Sequence, residues 1–371
     1  MTQQARAVIC REIGKPVVVE TVSVDAPQHG EVMIKLAACG VCHSDLSATN
    51  GTIPFPLPVV LGHEGAGEIV AVGEGVAGFS GFSIGDHVVS SFVSMCGKCR
   101  YCQTGRPQLC DQAARAGYTL PDGSTRFKDA TGKPLNIFSG CGVMAEYATL
   151  HVDNVVKIDA AMPLDKAALI GCGVMTGVGA AVNTAKVEPG SATVVFGCGG
   201  VGLNAIQGCA IAGARIIVAV DTSDAKLEMA KQFGATHAVN PNNEENIVKT
   251  LKKLTEGGAD YAFECVGLGE IAAQAYGCLR KGGTAVVVGV AGPKATTTIR
   301  TSSLTFEEKT LKGSYFGSAR PQQDFPRLIG LYRSGRLKLD ELITRTYSIE
   351  EAPLAFADLA DGRNARGVIL F

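Results

Sequence analysis

The sequence lacks any apolar run near the roughly 18 residues that a membrane-spanning helix requires. Its first segment, MTQQARAVICREIGKP, also lacks the continuous apolar core of a signal peptide, so we expect a cytoplasmic protein. An excess of charge of one sign is also lacking. The sequence has 34 Lys and Arg residues and 35 Asp and Glu residues, which gives a net charge of -1. This balance argues against a nucleic acid or a membrane surface as a partner held by bulk charge.

Charged residues are scarce as well, at 19% of 371 residues, whereas apolar residues make up 46% and there are 46 glycines. Such a composition excludes a disordered chain and is typical of an α/β protein with buried parallel strands and tight turns. The length predicts two or three domains.

Thirteen cysteines are unexpected in a reducing compartment, where disulfides rarely persist, so we expect some to be metal ligands. Cys96, Cys99, Cys102 and Cys110 follow the spacing C-x2-C-x2-C-x7-C. Four thiolates in one loop suit a closed structural zinc site. An iron–sulfur cluster uses similar ligands and stays open as an alternative, whereas independent buried thiols fit the polar flanking residues poorly.

The pattern along the chain changes near residue 175. Up to about residue 170, short strands such as EVMIKLAACG and HEGAGEIVAVG alternate with turns, which predicts a mostly β domain with a barrel-like core. From about residue 190, strands alternate with helical segments, which predicts βαβ units and a parallel sheet. After about residue 316 the chain ends in the apolar strand GVILF, which can return to the first domain.

A glycine motif marks the second region. Gly197, Gly199 and Gly202 form G-x-G-x-x-G between a predicted strand and a predicted helix, and the next strand ends at Asp221. This context is the one that dinucleotide binding requires: a tight turn, close approach of a pyrophosphate and a helix N-terminus facing it. Asp221 would bind the adenosine ribose and repel a 2′-phosphate, which favours NAD over NADP.

Three further residues, Cys42, His63 and Cys172, are scattered along the chain in CGVCHSD, LGHEG and IGCGVMTG. Together they would provide the Cys2His set of a catalytic zinc with an open fourth position. Each is weak alone, because a single cysteine is more often a packing residue and His63 can simply pair with Glu64.

Taken together, these motifs and their order resemble the zinc-dependent medium-chain alcohol dehydrogenases over nearly the whole chain. The stretches LGHEGAGEIVAVG, GDHVV, CGKC and VVFGCGGVGLNAI fit that family, and the segment from PDGSTRF to IFSGCGVMAEY resembles its longer-loop, commonly dimeric branch. The resemblance implies a GroES-like catalytic domain over 1–174 with a structural zinc lobe. It also implies a doubly wound Rossmann domain for NAD over 175–315, and a return to the catalytic domain over 316–371.

The resemblance also implies roles for single residues. Cys42, His63 and Cys172 match the catalytic zinc ligands, and Cys96, Cys99, Cys102 and Cys110 match the structural ones, giving two zinc ions per chain. Ser44 matches the hydroxyl that takes the substrate proton, Asp45 a carboxylate orienting His63, and Glu64 an acid near the metal. The cofactor contacts implied are His43, Thr176, Gly197, Gly199, Gly200, Val201, Gly202, Asp221, Lys226, Val290 and Arg366. Phe92, Phe138 and Val290 match the apolar slot for the substrate.

Two departures from the family pattern bear on mechanism and substrate. Ser47 stands where a histidine usually ends the proton relay. The stretch TIPFPLPVVLGHE lacks the acidic residue of the glutathione-dependent formaldehyde branch. We therefore expect reversible oxidation of aromatic, allylic or medium-chain primary alcohols with NAD, and thiol-dependent formaldehyde oxidation is the alternative.

Zinc-free relatives with other roles and NADP-dependent quinone or enoyl reductases fit less well, because every zinc-ligand position and Asp221 are present. The expected assembly is a homodimer, with a homotetramer as the other possibility.

Overall fold

The computed structural model describes residues 2–76, 81–115 and 117–371. Its strands are β1 (Gln3–Cys10), β2 (Val18–Val24), β3 (Glu31–Val41), β4 (Val59–Val60), β5 (Gly65–Val72), β6 (His87–Ser90), β7 (Phe127–Lys128), β8 (Asn136–Ile137), β9 (Tyr147–His151), β10 (Val155–Lys157), β11 (Ala192–Phe196), β12 (Ile216–Val220), β13 (His237–Val239), β14 (Ala259–Glu264), β15 (Leu279–Val287), β16 (Thr310–Gly313), β17 (Ile343–Ser348) and β18 (Arg366–Leu370).

The helices, in chain order, are α1 (His43–Thr49), α2 (Arg100–Gln103), α3 (Asp111–Arg115), α4 (Leu164–Ala168), α5 (Gly173–Gly179), α6 (Gly200–Ile211), α7 (Asp224–Gln232), α8 (Ile247–Leu254), α9 (Gly269–Gly277), α10 (Thr301–Phe306), α11 (Pro321–Arg333) and α12 (Ala352–Ala360). The chain divides into two compact units. Unit 1 contains residues 1–172, 320–333 and 339–371, and unit 2 contains residues 173–319 and 334–338.

Unit 1 is built on two sheets. In the described residues, one sheet has the order β7-β2-β1-β4-β8, and the other has the order β10-β6-β5-β3-β18-β17 with β9 also paired to β3. The last strand, β18, pairs antiparallel with β3, from Gly367 opposite Val41 to Leu370 opposite Ala38. The core between these elements is apolar, with Ile9, Ile34 and Phe127 almost completely buried. The C-terminal strand therefore completes the sheet whose central strand leads into Cys42.

Unit 2 is a parallel sheet with the strand order β13-β12-β11-β14-β15-β16. This order is that of a doubly wound Rossmann sheet. Its second and third strands are added on one side of the first strand, and the later strands are added on the other side, so the winding reverses between the first and fourth strands. Its central strand, β11, reads ATVVF and is buried along its full length, as expected for a strand covered on both faces. Helix α6 begins directly after β11, at the reversal point where such sheets bind ligands.

In the described part of the chain, no single helix is long and apolar enough to cross a membrane. The bent pair Leu164–Gly171 and Gly173–Ala185 reaches that threshold jointly, on length and composition alone.

Candidate active site

Three separate segments of unit 1 bring Cys42, His63 and Cys172 together. Cys42 follows β3 and stands at the N-cap of α1, His63 lies between β4 and β5, and Cys172 follows a short 3₁₀ turn. Their ligand atoms and one carboxylate oxygen of Glu64 all lie within 4.8 Å of one another, and all four residues are buried. This donor set is compact enough for one metal ion with ligand bonds of about 2.0–2.3 Å.

Asp45 fixes the orientation of the His63 ring. It is completely buried on α1; its Oδ1 accepts a hydrogen bond from the Gly62 N–H at 2.9 Å, and its Oδ2 lies 3.1 Å from His63 Nδ1. Both ring nitrogens are buried and neither makes a well-aligned hydrogen bond among the described residues, but Nδ1 has the Asp45 carboxylate beside it, whereas Nε2 does not. A buried polar atom of this kind needs a ligand, and Nε2 is therefore the atom available to a metal ion.

The electrostatics around His63 favour a positive charge. Burial by itself lowers the pKa of His63, but the charges of Asp45 and Cys42 outweigh it and raise the pKa to about 10. A hydrogen bond from Cys172 holds the pKa of the Cys42 thiol well below its usual range, and His63 acts in the same direction. Thiolate and carboxylate charges that stabilise a cation here fit the chemistry of a divalent zinc ion.

Glu64 forms a buried ion pair with Arg366 at the start of β18. The guanidinium of Arg366 donates to Oε2 of Glu64, and both side chains are at most 5% exposed. Gly40 makes room for this carboxylate, since a Cβ at that position would lie 2.2 Å from Glu64 Oε2. Arg366, predicted as a cofactor contact, thus binds the acid beside the predicted zinc-ligand cluster in this structure.

Two predicted substrate-slot residues contact the His63 ring. The centroid of Phe92 lies 5.5 Å from that of His63 at an interplanar angle of 89°, and the Phe138 centroid lies 5.3 Å away at 61°. The side chain of Phe138 is only 1% exposed. These rings form an apolar wall beside the ligand cluster and keep water from that side of it.

Ser44, predicted for proton transfer, and His43, predicted as a cofactor contact, both lie on α1. Ser44 is half-buried in its first turn, whereas His43 is exposed. Ser47 is half-buried one turn further on, and its backbone carbonyl accepts a hydrogen bond from the Ile53 N–H at 3.0 Å.

The four closely spaced cysteines form a second cluster in unit 1. Cys96, Cys99, Cys102 and Cys110 offer sulfur atoms that all lie within 4.8 Å of one another. The Cys99 N–H donates to Cys96 Sγ at 3.3 Å, and the Cys96 N–H donates to Cys110 Sγ at 3.5 Å. Backbone donation from Cys102 lowers the pKa of the Cys99 thiol to about 6. Burial acts in the opposite direction on Cys102 and Cys110 and raises the pKa of each thiol. The close grouping of four sulfur atoms nevertheless fits a tetrahedral structural zinc.

The glycine motif of unit 2 forms the turn between β11 and α6. Gly197 has a φ of +88°, and its N–H donates to the Val220 carbonyl at 2.8 Å. Gly199 is the N-cap of α6 and has no atom within 4 Å of an added Cβ. Gly200 and Val201, the next two predicted contacts, open the helix. A Cβ on Gly202 would lie 1.7 Å from the Gly197 carbonyl oxygen, so the turn requires glycine there.

Asp221 stands at the end of β12 beside this turn. Its Oδ2 accepts from the Cys198 N–H at 2.8 Å and its Oδ1 accepts from the Ser223 N–H at 2.9 Å. The carboxylate is therefore fixed next to the glycine motif. Lys226 is half-buried on α7, close enough to influence the Cys198 thiol electrostatically.

Two other predicted contacts belong to unit 2. Thr176 is 9% exposed within α5, and Val290 is 63% exposed beyond β15. Val290 was predicted to line the substrate slot together with Phe92 and Phe138. It lies in unit 2, whereas the rings of Phe92 and Phe138 contact His63 in unit 1.

Sequence reasoning missed the residues that extend the aromatic wall. Phe55 packs on Phe138 with ring centroids 4.6 Å apart, and Tyr118 packs on Phe55 at 6.4 Å. Asn136 holds the Phe55 loop through hydrogen bonds to Pro56 and Pro58. The proline-flanked aromatic in IPFPLP was the available signal, because a phenylalanine between two prolines is held in a restricted backbone.

Two family models match the chain. Residues 28–160 match the alcohol dehydrogenase GroES-like domain, and residues 200–334 match the zinc-binding dehydrogenase domain. Both assignments agree with the mostly β unit and the doubly wound sheet described above.

Several known proteins are similar over the full length. An NDMA-dependent alcohol dehydrogenase from Amycolatopsis methanolica is 44% identical, with 99% of each chain covered. An S-(hydroxymethyl)glutathione dehydrogenase from Paracoccus denitrificans is 39% identical over 99% of this chain and 100% of its own. The crystal structure of benzyl alcohol dehydrogenase from Acinetobacter calcoaceticus is similar with a TM-score of 0.92 and 34% identity, covering 100% of this chain and 99% of that one.

The chain belongs to the zinc-dependent medium-chain alcohol dehydrogenase family. It is an oxidoreductase of that family, and the predicted fold class, a Rossmann sheet with a GroES-like domain, is confirmed.

Proposed function

We propose that this enzyme oxidises primary alcohols that are aromatic, allylic or of medium chain length to aldehydes, reversibly and with NAD. The observation that carries the proposal is the buried Cys42, His63 and Cys172 cluster beside the rings of Phe92 and Phe138. A metal-ligand set against an apolar wall suits an alcohol with an apolar tail.

Two zinc ions and one NAD are part of this proposal. Cys42, His63 and Cys172 would hold the catalytic zinc, and Cys96, Cys99, Cys102 and Cys110 the structural one. The glycine motif and Asp221 would hold NAD. When bound, the catalytic zinc and NAD supply a Lewis acid for the hydroxyl and an acceptor for the hydride.

The chain's own residues then have distinct tasks. Asp45 keeps the His63 ring oriented through Nδ1 so that Nε2 faces the cluster. Ser44 Oγ takes the hydroxyl proton of the alcohol. Because Ser47 cannot act as the histidine that usually ends the relay, water would carry the proton onward from the Ser44 hydroxyl.

The cofactor preference rests on Asp221. Its carboxylate is held by two backbone N–H groups beside the glycine turn. A carboxylate in this position accepts hydrogen bonds from a ribose 2′-hydroxyl and repels a 2′-phosphate. We therefore propose NAD rather than NADP.

Thiol-dependent formaldehyde oxidation is the second candidate, because one relative of 39% identity is an S-(hydroxymethyl)glutathione dehydrogenase. A charged thiol adduct needs charged partners, and the segment from Thr52 to Gly62 contains none. Arg126, a buried cation further along the same unit, is already bound by Glu31 and Asp122. These observations favour uncharged alcohols.

One alcohol panel separates the two candidates. The purified zinc-loaded enzyme is assayed with benzyl, allyl and hexyl alcohols and with formaldehyde, each with and without glutathione. NAD, NADP and NDMA serve as acceptors in separate arms. We expect the highest kcat/KM with benzyl alcohol and NAD and no effect of glutathione. Formaldehyde oxidation that requires glutathione and exceeds every alcohol rate would establish the second candidate instead.

We also propose the division of the chain into a catalytic domain over 1–174, an NAD domain over 175–315 and a returning segment over 316–371.

A reducing cytoplasm suits the thirteen cysteines, all of which are free. The substrate is a small molecule, with no role for nucleic acid or membrane. We expect a homodimer, with a homotetramer as the alternative, and light scattering distinguishes them.

A further inference from the structure

Four rings follow one another in unit 1 from the buried ligand cluster toward the surface. The His63 and Phe138 centroids are 5.3 Å apart, those of Phe138 and Phe55 4.6 Å, and those of Phe55 and Tyr118 6.4 Å. Exposure rises along the series: Phe138 is 1% exposed, Phe55 is half-buried and Tyr118 is 48% exposed. We call Phe138, Phe55 and Tyr118 the ring series.

Strand β8 holds the loops that carry these rings. The Asn136 N–H donates to the Pro58 carbonyl at 3.1 Å, and Asn136 Nδ2 donates to the carbonyls of Pro56 and Pro58, each at 3.1 Å. The Ile137 N–H donates to the Tyr118 carbonyl at 3.0 Å. Phe138 follows Ile137 directly, so all three rings are positioned from one short strand.

Accessible aromatic surface lies at the outer end of the ring series, where Phe55 is half-buried and Tyr118 is 48% exposed. Phe55 meets Phe138 at an interplanar angle of 44° and Tyr118 at 83°, so the rings are tilted rather than stacked face to face. Partly exposed aromatic side chains in a continuous row are typical of a ligand path rather than of a closed core.

We propose that the ring series binds the aromatic ring of the substrate and that Phe55 is a specificity-determining residue. This inference rests on the proposed function, since it names which of the candidate alcohols the site prefers. An aromatic ring gains edge or face contacts with Phe55 that an aliphatic chain of equal carbon number does not gain to the same extent. Tyr118 extends the same surface for substrates with a longer tail.

The test compares benzyl alcohol with heptan-1-ol, which has the same number of carbon atoms, using the zinc-loaded wild type, Phe55→Ala and Phe55→Leu. We expect Phe55→Ala to raise KM for benzyl alcohol about 2- to 12-fold, as an aromatic pair predicts, with a smaller change for heptan-1-ol. The kcat for both alcohols should change less than about twofold, because Phe55 does not touch the reacting atoms. Phe55→Leu should restore heptan-1-ol but not benzyl alcohol.

The matched control is Tyr332→Ala, which removes a half-buried ring on α11 whose hydroxyl donates to Asp340 Oδ2 at 2.9 Å. It should leave the ratio of kcat/KM for the two alcohols unchanged. Equal effects of Phe55→Ala on both alcohols, or full recovery of benzyl alcohol oxidation in Phe55→Leu, would overturn the proposal. If Phe55→Ala does not fold, as judged by circular dichroism, Phe55→Leu alone provides the same comparison.

Binding of benzamide, an unreactive aromatic analogue, is measured by calorimetry in parallel. If the wild type oxidises neither alcohol with NAD, the proposed function fails, and the binding measurement then decides the role of the ring series separately. Weaker benzamide binding by Phe55→Ala than by wild type supports the ring series. Equal binding, or no binding by wild type, contradicts it.

Discussion

At the scale of single residues, His63 shows how neighbouring side chains determine what one ring can do. Its Nδ1 lies 3.1 Å from Asp45, which leaves Nε2 directed to the cluster. Asp45 and Cys42 raise its pKa to about 10 although burial opposes this. The same negative surroundings that stabilise a proton on the ring stabilise a metal ion beside it, so proton and metal compete for His63.

The two serines of α1 provide a residue-scale prediction. Ser44→Ala should lower kcat by about 100-fold or more, because it removes the hydroxyl that takes the substrate proton. Ser47→Ala should change kcat by less than about twofold. Its hydrogen bond with the Ile53 N–H is accepted by the Ser47 backbone carbonyl, which the substitution retains. Steady-state kinetics across pH measure both variants. Comparable losses in the two variants would show that the proton route is assigned wrongly.

At the scale of elements, two glycines in the turn from β11 into α6 have different reasons to be glycine. One is required by the fold, and the other is not. Gly202 is required by the fold, because a Cβ there would overlap the Gly197 carbonyl. Gly199 has open space around it and backbone angles of φ -79° and ψ -171° that any residue adopts. Packing therefore does not require a glycine there, and we expect that it makes room for the cofactor proposed to approach the helix N-terminus.

This separation can be measured. Gly199→Ala should leave Tm nearly unchanged and weaken NAD binding about tenfold or more, because the methyl group fills the space for the pyrophosphate. Gly202→Ala should lower Tm as well as NAD affinity. Calorimetry with NAD and thermal unfolding report the two quantities.

Gly330→Ala is the control for this pair. Gly330 lies on α11 with no atom within 4 Å of an added Cβ, so the alanine should keep NAD affinity and give an equal or higher Tm. Unchanged NAD binding in Gly199→Ala would contradict the phosphate role of this turn.

At the scale of the whole molecule, metal content is the decisive quantity. Two separate groups of ligands lie in unit 1, one closed by four cysteines and one with a histidine. We expect two zinc ions per chain by elemental analysis. Cys102→Ser should retain about one and lower Tm, because metal binding and folding of the cysteine lobe are coupled.

Cys209→Ala is the matched cysteine control, since Cys209 is buried in unit 2 outside both groups. It should keep both ions. Iron in place of zinc would support the iron–sulfur alternative, and a metal-free wild type purified without chelator would contradict the catalytic proposal.

The sequence supports the most specific predictions where its signal is local. The four cysteines lie within fifteen positions, and the glycine motif directly follows its strand, so each pattern contains its own structural context. Contacts between distant segments were not predictable in this way. Arg366 and Glu64 are 302 residues apart, and they meet only because β18 pairs with β3.

The sequence alone therefore determined the α/β fold class, and it predicted the group of four cysteines and the glycine turn, because short-range spacing specifies thiolate groups and glycine turns. The tertiary structure decided which rings stand beside His63, how Asn136 joins loops 78 to 80 residues away, and where Arg366 binds. These contacts depend on which strands pair and in what register, and pairing between distant segments results from burial of the whole core rather than from any one segment.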